Sequence, residues 1–293
     1  MLRYKQLFST VLMLLAGGLL TLSAHSLTKQ SPTVTENFNS MWSGTEATLT
    51  LPDGWRIDRN LNAPRTVNPW SSAATEVMYT GGVSLASNAS NGTWNWGKNG
   101  DSDRAVGGLT TTVTNGTRCI NVMTSVTNAD EAAINRLILS YDIEKYREGD
   151  NAAGFAVQVY TSTDGENWTP AGNDLYTYFA PDAQTLGAEV VPISVTAVSG
   201  KNLLVDIAAG STLYIAWNIS VASGTSPNKA PGLAIDNIQI TANFAGEGPA
   251  ATNLYIEDVT GWEKLMVHAA DGTLGAFPGM ASTGSKTVNG VAY

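Results

Sequence analysis

The sequence predicts an all-β protein: an antiparallel jelly-roll β-sandwich followed by a partial small β module. Three observations carry this. Short runs of alternating apolar and polar residues recur from about residue 34 to 244, separated by Gly, Asn, Asp and Pro. Helical periodicity is nearly absent, the best case being one turn at Asp130–Ile134. Charged residues make up only 14% against 43% hydrophobic, and Thr, Ser, Asn and Gly fill the gap, as on strands whose exposed faces carry hydroxyls and amides. Many short strands without intervening helices argue for a sandwich over an α/β fold.

Residues 1–26 read as a secretory leader. Arg3 and Lys5 form its charged start, Leu7 to Leu22 its apolar stretch, and Ala24-His25-Ser26 its small-residue cleavage site. The apolar run falls short of the ~20 residues that span a bilayer, so a membrane anchor is not expected. The protein is therefore placed outside the cell or on its outer surface. Residues 27–33 read as an exposed lead-in, 34–244 as the sandwich, 245–252 as a Gly/Pro-bearing linker and 253–293 as the start of a second module.

Within the sandwich, strands are expected at Leu137–Ile143, Phe155–Tyr160, Leu203–Ile207, Leu213–Trp217 and Leu233–Ile240. In the last, Leu233 and Ile235 fall out of step with Ile238 and Ile240. The slip predicts a bulge at Asp236-Asn237. Long loops are expected at 58–76 and 88–103.

Bulk chemistry excludes several function classes. The formal charge is −9, and −11 once Arg3 and Lys5 leave with the leader. An acidic surface repels phosphate backbones, so no nucleic-acid partner is expected. Cys119 is the only cysteine, which rules out an internal disulfide; its apolar neighbours Ile120 and Val122 predict a buried thiol. After leader removal His268 is the only histidine, outside the sandwich. Neither a Ser-His-Asp triad nor a two-His zinc site can then be built. Asp142, Glu144, Glu148 and Asp150 cluster at a strand end, read as a solvated rim because nothing fixes two carboxyls at a glycosidase separation.

Aromatic residues supply the binding hypothesis. Trp94 and Trp96 alternate in a Gly/Asn-rich segment and share a face if it is extended. Exposed rings stack on the apolar faces of sugars, and Asn or Asp bond the hydroxyls. Trp55 and Trp217 are read as core.

In order along the chain, Glu36-Asn37-Phe38, Leu51-Pro52-Asp53-Gly54-Trp55, Asp103-Arg104-Ala105-Val106-Gly107, Val157–Trp168 and Gly232–Asp236 form a pattern. It resembles the β-sandwich accessory domains of secreted multidomain bacterial proteins, of the MAM and cleaved-adhesin type, over roughly 210 residues. The resemblance implies a jelly roll whose first and last strands lie close together. That would let Glu36 and Asp236 hold a structural Ca²⁺ with backbone carbonyls; the alternative is that Asp236-Asn237 only caps a bulge.

The segment Asn253–His268, then Phe277-Pro278-Gly279-Met280, is similar to the first half of a starch-binding module of the family 26 type, known from Bacteroidetes outer-surface glycan-utilisation proteins. The resemblance implies starch-like α-glucan binding at Trp262, His268 and Phe277. His268 stands where a Tyr is usual, Ala270 where a second Trp is usual, and Phe277 replaces the turn Trp. Val288–Tyr293 reads as the start of a hairpin turning at Asn289-Gly290, which suggests a fragment of the module.

The resulting expectation is a secreted or cell-surface, non-catalytic carbohydrate-binding protein with a polysaccharide partner, and other surface proteins as further partners. A structural or adhesive protein-contact module is the first alternative. A jelly-roll lyase or hydrolase using Tyr141, Lys145 and Arg147 is the second.

Overall fold

The computed structural model describes residues 24–81, 90–98, 100–183 and 191–246, plus four two-residue strands in the C-terminal segment. The chain divides into two compact units, Met1–Gly246 and Glu247–Tyr293.

The first unit is a two-sheet β-sandwich. In chain order its strands are β1 (His25–Leu27), β2 (Thr33–Glu36), β3 (Trp55–Asn60), β4 (Tyr79–Thr80), β5 (Gly92–Trp96), β6 (Ala105–Leu109), β7 (Cys119–Asn128), β8 (Ile134–Arg147), β9 (Phe155–Ser162), β10 (Thr169–Pro170), β11 (Tyr176–Phe179), β12 (Ser194–Ile207), β13 (Thr212–Val221) and β14 (Gly232–Phe244). In sheet A, β7 carries both β3 and β1 on one side and β13 on the other; β13 leads to β9, which carries β10 and β11. Sheet B runs β12-β8-β14-β6-β5-β4, with β2 also on β14. The pairings are antiparallel except β1 with β7 and β4 with β5.

The expected strands are present, and the central ones are longer than their apolar cores. The expected bulge is present too. The register of β14 on β8 shifts between Asp236 and Gln239, and Asn237 takes a left-handed φ of 48°. That conformation suits Asn better than a branched residue. At this point β14 changes neighbour, from β6 at Leu233–Ile235 to β2 at Ile238–Thr241.

Between the sheets, Trp217 sits in edge contact with Tyr141 at 5.7 Å and beside Trp55 at 5.9 Å, and Trp55 meets Phe38 edge-on at 5.1 Å. All four are buried, as expected for Trp55 and Trp217. Such rings bury large areas and prefer tilted contacts, so they fix the spacing of the two layers. Cys119 is buried, and burial pushes its thiol up to about 11.

Four expectations need correction. Asp130–Ile134 forms no helical turn: Asn128 Oδ1 accepts from Asp130 N and Asp130 Oδ1 from Ala132 N, short-range side-chain bonds that win over a helix, Asp130 Oδ2 accepts from the distant Lys29 N, and Ile134 already begins β8. The 88–103 segment contains β5. The 58–76 segment begins as β3, and its remainder folds onto the outer face of sheet A, where Val67 and Ala73 pack on Met123 and Ala216. The lead-in is not free, because Leu27 is buried in the core and Ser26 and Leu27 pair with Thr127 and Asn128. The expected leader boundary at Ser26 therefore falls inside β1, while residues 1–23 lie outside the described residues.

In the second unit, β15 (Met266–Val267) pairs with β16 (Met280–Ala281), and β17 (Thr287–Val288) with β18 (Val291–Ala292). Asn289-Gly290, where a turn is expected, lies between these two strands in sequence and outside the described residues. Trp262, His268 and Phe277 lie outside the described residues.

Candidate functional site

The outer face of sheet B holds Trp94 and Trp96, on one side of β5 as strand alternation requires. Across from them β6 offers Gly107 opposite Trp94 and Ala105 opposite Trp96, and β14 offers Ala234. These small residues leave a trough, and the rings lie down in it. Tyr79, Trp94, Trp96 and Tyr146 form a continuous ladder with successive centroids 4.8, 4.9 and 5.4 Å apart. Trp96 is fully buried, and Trp94 is half-buried between Tyr79 and Trp96, its Nε1 donating to Ser90 O. The ladder is packed ring on ring, so Trp96 offers no free face to a sugar.

Beside the ladder sits a group of carboxylates. Asp236 is 1% exposed, and its Oδ1 has no hydrogen-bond partner among the described residues. Burial, then the charges of Glu144, Asp103 and Asp142, raise its carboxyl to about 8. Glu144 is raised by the same causes although it accepts a hydrogen bond from the Tyr146 hydroxyl. Asp142 accepts from Asn237 Nδ2 at 3.0 Å. A buried carboxylate oxygen without a donor among the described residues, beside other carboxylates, suits a hard divalent ion. Among the described residues no three His, Cys, Asp or Glu converge into a ready-made metal cluster, so backbone and amide oxygens would have to complete a shell.

Glu36 lies across from Ile238, two positions along from Asp236. Its Oε1 accepts from the backbone N–H groups of Asn37 and Phe38, and it borders a hollow of about 420 Å³ with Asn37, Asn237 and Gln239.

The outer face of sheet A is different. Where the 61–75 loop ends its cover, β11 brings Tyr176 opposite Gln158 and Tyr178 opposite Ala156. Both rings point away from the core, 39% and 50% exposed, and neither hydroxyl makes a hydrogen bond among the described residues. Tyr178 lies over Gly154, whose φ is +68°. A Cβ there would come within 2.6 Å of the ring, so glycine is required both by conformation and by this close approach. Beside Tyr176 is a hollow of about 90 Å³ lined by Arg65, Gln158, Tyr160, Asn218 and Ser220. Gln158 Nε2 donates to Val159 O and Gly172 O, which fixes the amide while its Oε1 accepts nothing among the described residues. Two open rings beside fixed amides form a stacking surface with hydrogen-bonding groups at its side. The sequence signal for it is Tyr176-Thr177-Tyr178, the same alternation that singled out Trp94 and Trp96.

The residues considered for catalysis do not converge. Tyr141 is in the core against Trp217, and burial raises its phenol. Lys145 pairs with Asp182, and Arg147 is buried. Asp150 pairs with Lys229 at the surface, away from the Glu144–Tyr146 bond.

No family model and no curated protein matches the sequence. Among solved structures, the K1 and K3 cleaved adhesin domains of Lys-gingipain from Porphyromonas gingivalis are similar at 15% and 14% identity, with TM-scores of 0.36 and 0.35, covering 72% and 71% of this chain and 98% of each domain. The CBM22-1 xylan-binding domain of Xyn10C from Paenibacillus barcinonensis is similar at 10% identity and a TM-score of 0.25, covering 75% of this chain and 97% of that domain.

Proposed function

We propose that this protein is a secreted or cell-surface, non-catalytic carbohydrate-binding protein, and that Tyr176 and Tyr178 form its stacking surface on the sandwich. The observation that carries the reading is the pair of open rings flanking fixed amides. Stacking on the C–H faces of a sugar supplies affinity; Gln158 and its neighbours select among hydroxyl patterns. One shallow surface of this kind binds weakly, so further sites on the same chain would act by raising effective concentration. Starch-like α-glucan specificity is proposed for the 253–293 segment, on its resemblance alone. A Ca²⁺ ion held by Asp236, with Glu36 nearby, is proposed as a structural ligand.

Affinity electrophoresis through a panel of polysaccharides, including starch and xylan, tests the reading. Retardation by at least one glycan is expected, reduced in Tyr176→Ala and Tyr178→Ala. If neither variant changes a retardation that the parent shows, the surface is misassigned. Loss on Trp262→Ala with starch would locate α-glucan binding in the C-terminal segment.

A second reading has its own observation. β12 is an edge strand of sheet B, and Val195 and Leu204 on it, with Ile193 just before it, are exposed, Leu204 to 81%. An open edge with apolar side chains favours strand-to-strand contact with another protein. Concentration-dependent association abolished by Leu204→Lys, with no retardation by any glycan, would favour it.

A further inference from the structure

We propose a second saccharide site in the cleft at the β3 edge of sheet A, which takes a short neutral oligosaccharide. It goes beyond the tyrosine surface, which lies at the opposite, β11 edge of the same sheet. The cleft has a volume of about 500 Å³, within the range of small-molecule sites. Its walls come from β3, the 61–75 loop, the stretch through Glu76 and Met78, Thr93 of β5, and Asn115 in a left-handed turn at φ 58°.

Four polar side chains on this cleft are unspent. The Arg59 guanidinium, the Glu76 carboxylate and the amides of Asn62 and Asn115 make no hydrogen bond or ion pair among the described residues. Their neighbours are the opposite. Asp58 Oδ1 accepts from Asn68 Nδ2 at 2.8 Å and Asp58 Oδ2 from Asn121 Nδ2 at 2.8 Å, and Asn68 Oδ1 accepts from Asn60 Nδ2 at 2.8 Å. The floor is thus held rigid while the rim keeps free donors and acceptors. A rigid floor lowers the ordering cost of binding.

The chemistry of the rim chooses the ligand. Vicinal hydroxyls can donate to a carboxylate and accept from a guanidinium and amides at once. Leu61 and Met78 add apolar patches for sugar C–H groups. Two carboxylates against one guanidinium make the cleft acidic, which disfavours uronates, sulfated glycans and other anions.

The test is calorimetric titration of the folded protein with three neutral probes, maltotriose, xylotriose and cellotriose, in parent and variants. Binding of at least one probe is expected, weakened tenfold or more in Arg59→Ala and at least threefold in Glu76→Gln. Glu76 is exposed, so its substitution leaves the fold intact even if Arg59→Ala perturbs it. The component of binding that depends on Arg59 and Glu76 should persist in Tyr176→Ala, even where that variant removes heat contributed by the tyrosine surface. Binding lost in Tyr176→Ala but kept in Arg59→Ala and Glu76→Gln would overturn the cleft and leave the tyrosine surface standing. No heat with any probe would also overturn it, whereas the tyrosine surface would still be judged by the polysaccharide gels.

Discussion

The Trp96 and Tyr146 rings stack with centroids 5.4 Å apart and planes 10° from parallel, although they project from β5 and β8, which have β6 and β14 between them. The contact is made possible by Ala105, Gly107 and Ala234 on the strands between. It makes Trp96 part of a second, outer core rather than a ligand platform. Trp96→Ala is expected to destabilise the fold by about 3–5 kcal/mol, the range for a buried large aromatic. Trp94→Ala, at the half-buried position between Tyr79 and Trp96, should cost clearly less. Urea unfolding of both variants checks the order; equal losses would mean that Trp94 carries as much packing as Trp96.

How much of this was legible in the sequence depends on the period of each signal. Alternation in β9, β13 and β14 gave strands and faces correctly, because each strand has one face on the core. The same alternation put Trp94 and Trp96 on one face but could not say what lay opposite. Burial of Trp96 depends on Ala105, Gly107 and Ala234, brought beside it by strand pairing from segments as distant as residue 234. The tyrosine surface depends on where the 61–75 loop stops, which no local pattern encodes. The rim of the β3 cleft is gathered from residues 59 to 115, with spacing that resembles no motif. By contrast the Asp236-Asn237 bulge was legible, since a one-residue slip in an apolar alternation would otherwise turn Ile238 and Ile240 away from the core face that Leu233 and Ile235 occupy.

Asp236 is a buried acid whose carboxyl is raised to about 8, so it is largely protonated near neutral pH and a cation must displace that proton to bind there. Millimolar Ca²⁺ is expected to raise the melting temperature of the parent, and EDTA to lower it again. Asp236→Asn should melt no lower than the calcium-free parent, because burial already keeps the Asp236 carboxyl largely protonated near neutral pH and the substitution exchanges one neutral polar group for another. It should also lose the response to Ca²⁺. A melting temperature indifferent to Ca²⁺ in the parent would remove the cation from the account.

His25 lies on β1, half-buried, with its ring 6.0 Å from Trp55. Burial lowers its pKa below the ordinary 6.5. A histidine held neutral in the fold but free to protonate when unfolded contributes fully above pH 6.5. That contribution is lost as pH falls from 6.5 toward the lowered folded value. The drop in melting temperature between pH 7.5 and 5.5 should therefore be smaller in His25→Phe than in the parent. The same strand bears on the proposed export: with Leu27 in the core, processing of the proposed leader is expected ahead of His25, and the intact mass of the mature chain reads this directly. A mature chain beginning at Leu27 would contradict it.

Asp58 ties together a line of buried amides on the outer face of sheet A. Asn218 Nδ2 donates to Asn121 Oδ1 at 2.6 Å, Asn121 Nδ2 to Asp58 Oδ2, and Asn68, from the covering loop, reaches Asp58 Oδ1 with its own Nδ2. The carboxylate accepts from both the sheet and the loop, so it acts as the clasp between them. Asp58→Ala would leave the Asn68 Nδ2 without its acceptor and the Asn121 Nδ2 with Thr66 O alone, at ~1–3 kcal/mol for a buried group left unmade. Asp58→Asn keeps one acceptor oxygen and turns the other into a donor that faces a donor, so it should lie between parent and Ala. Because the clasp holds the loop, protease nicking between residues 61 and 75 should accelerate more than global unfolding does in Asp58→Ala. Nicking that merely tracks global stability would show that the loop is held by Val67, Trp70 and Ala73 instead.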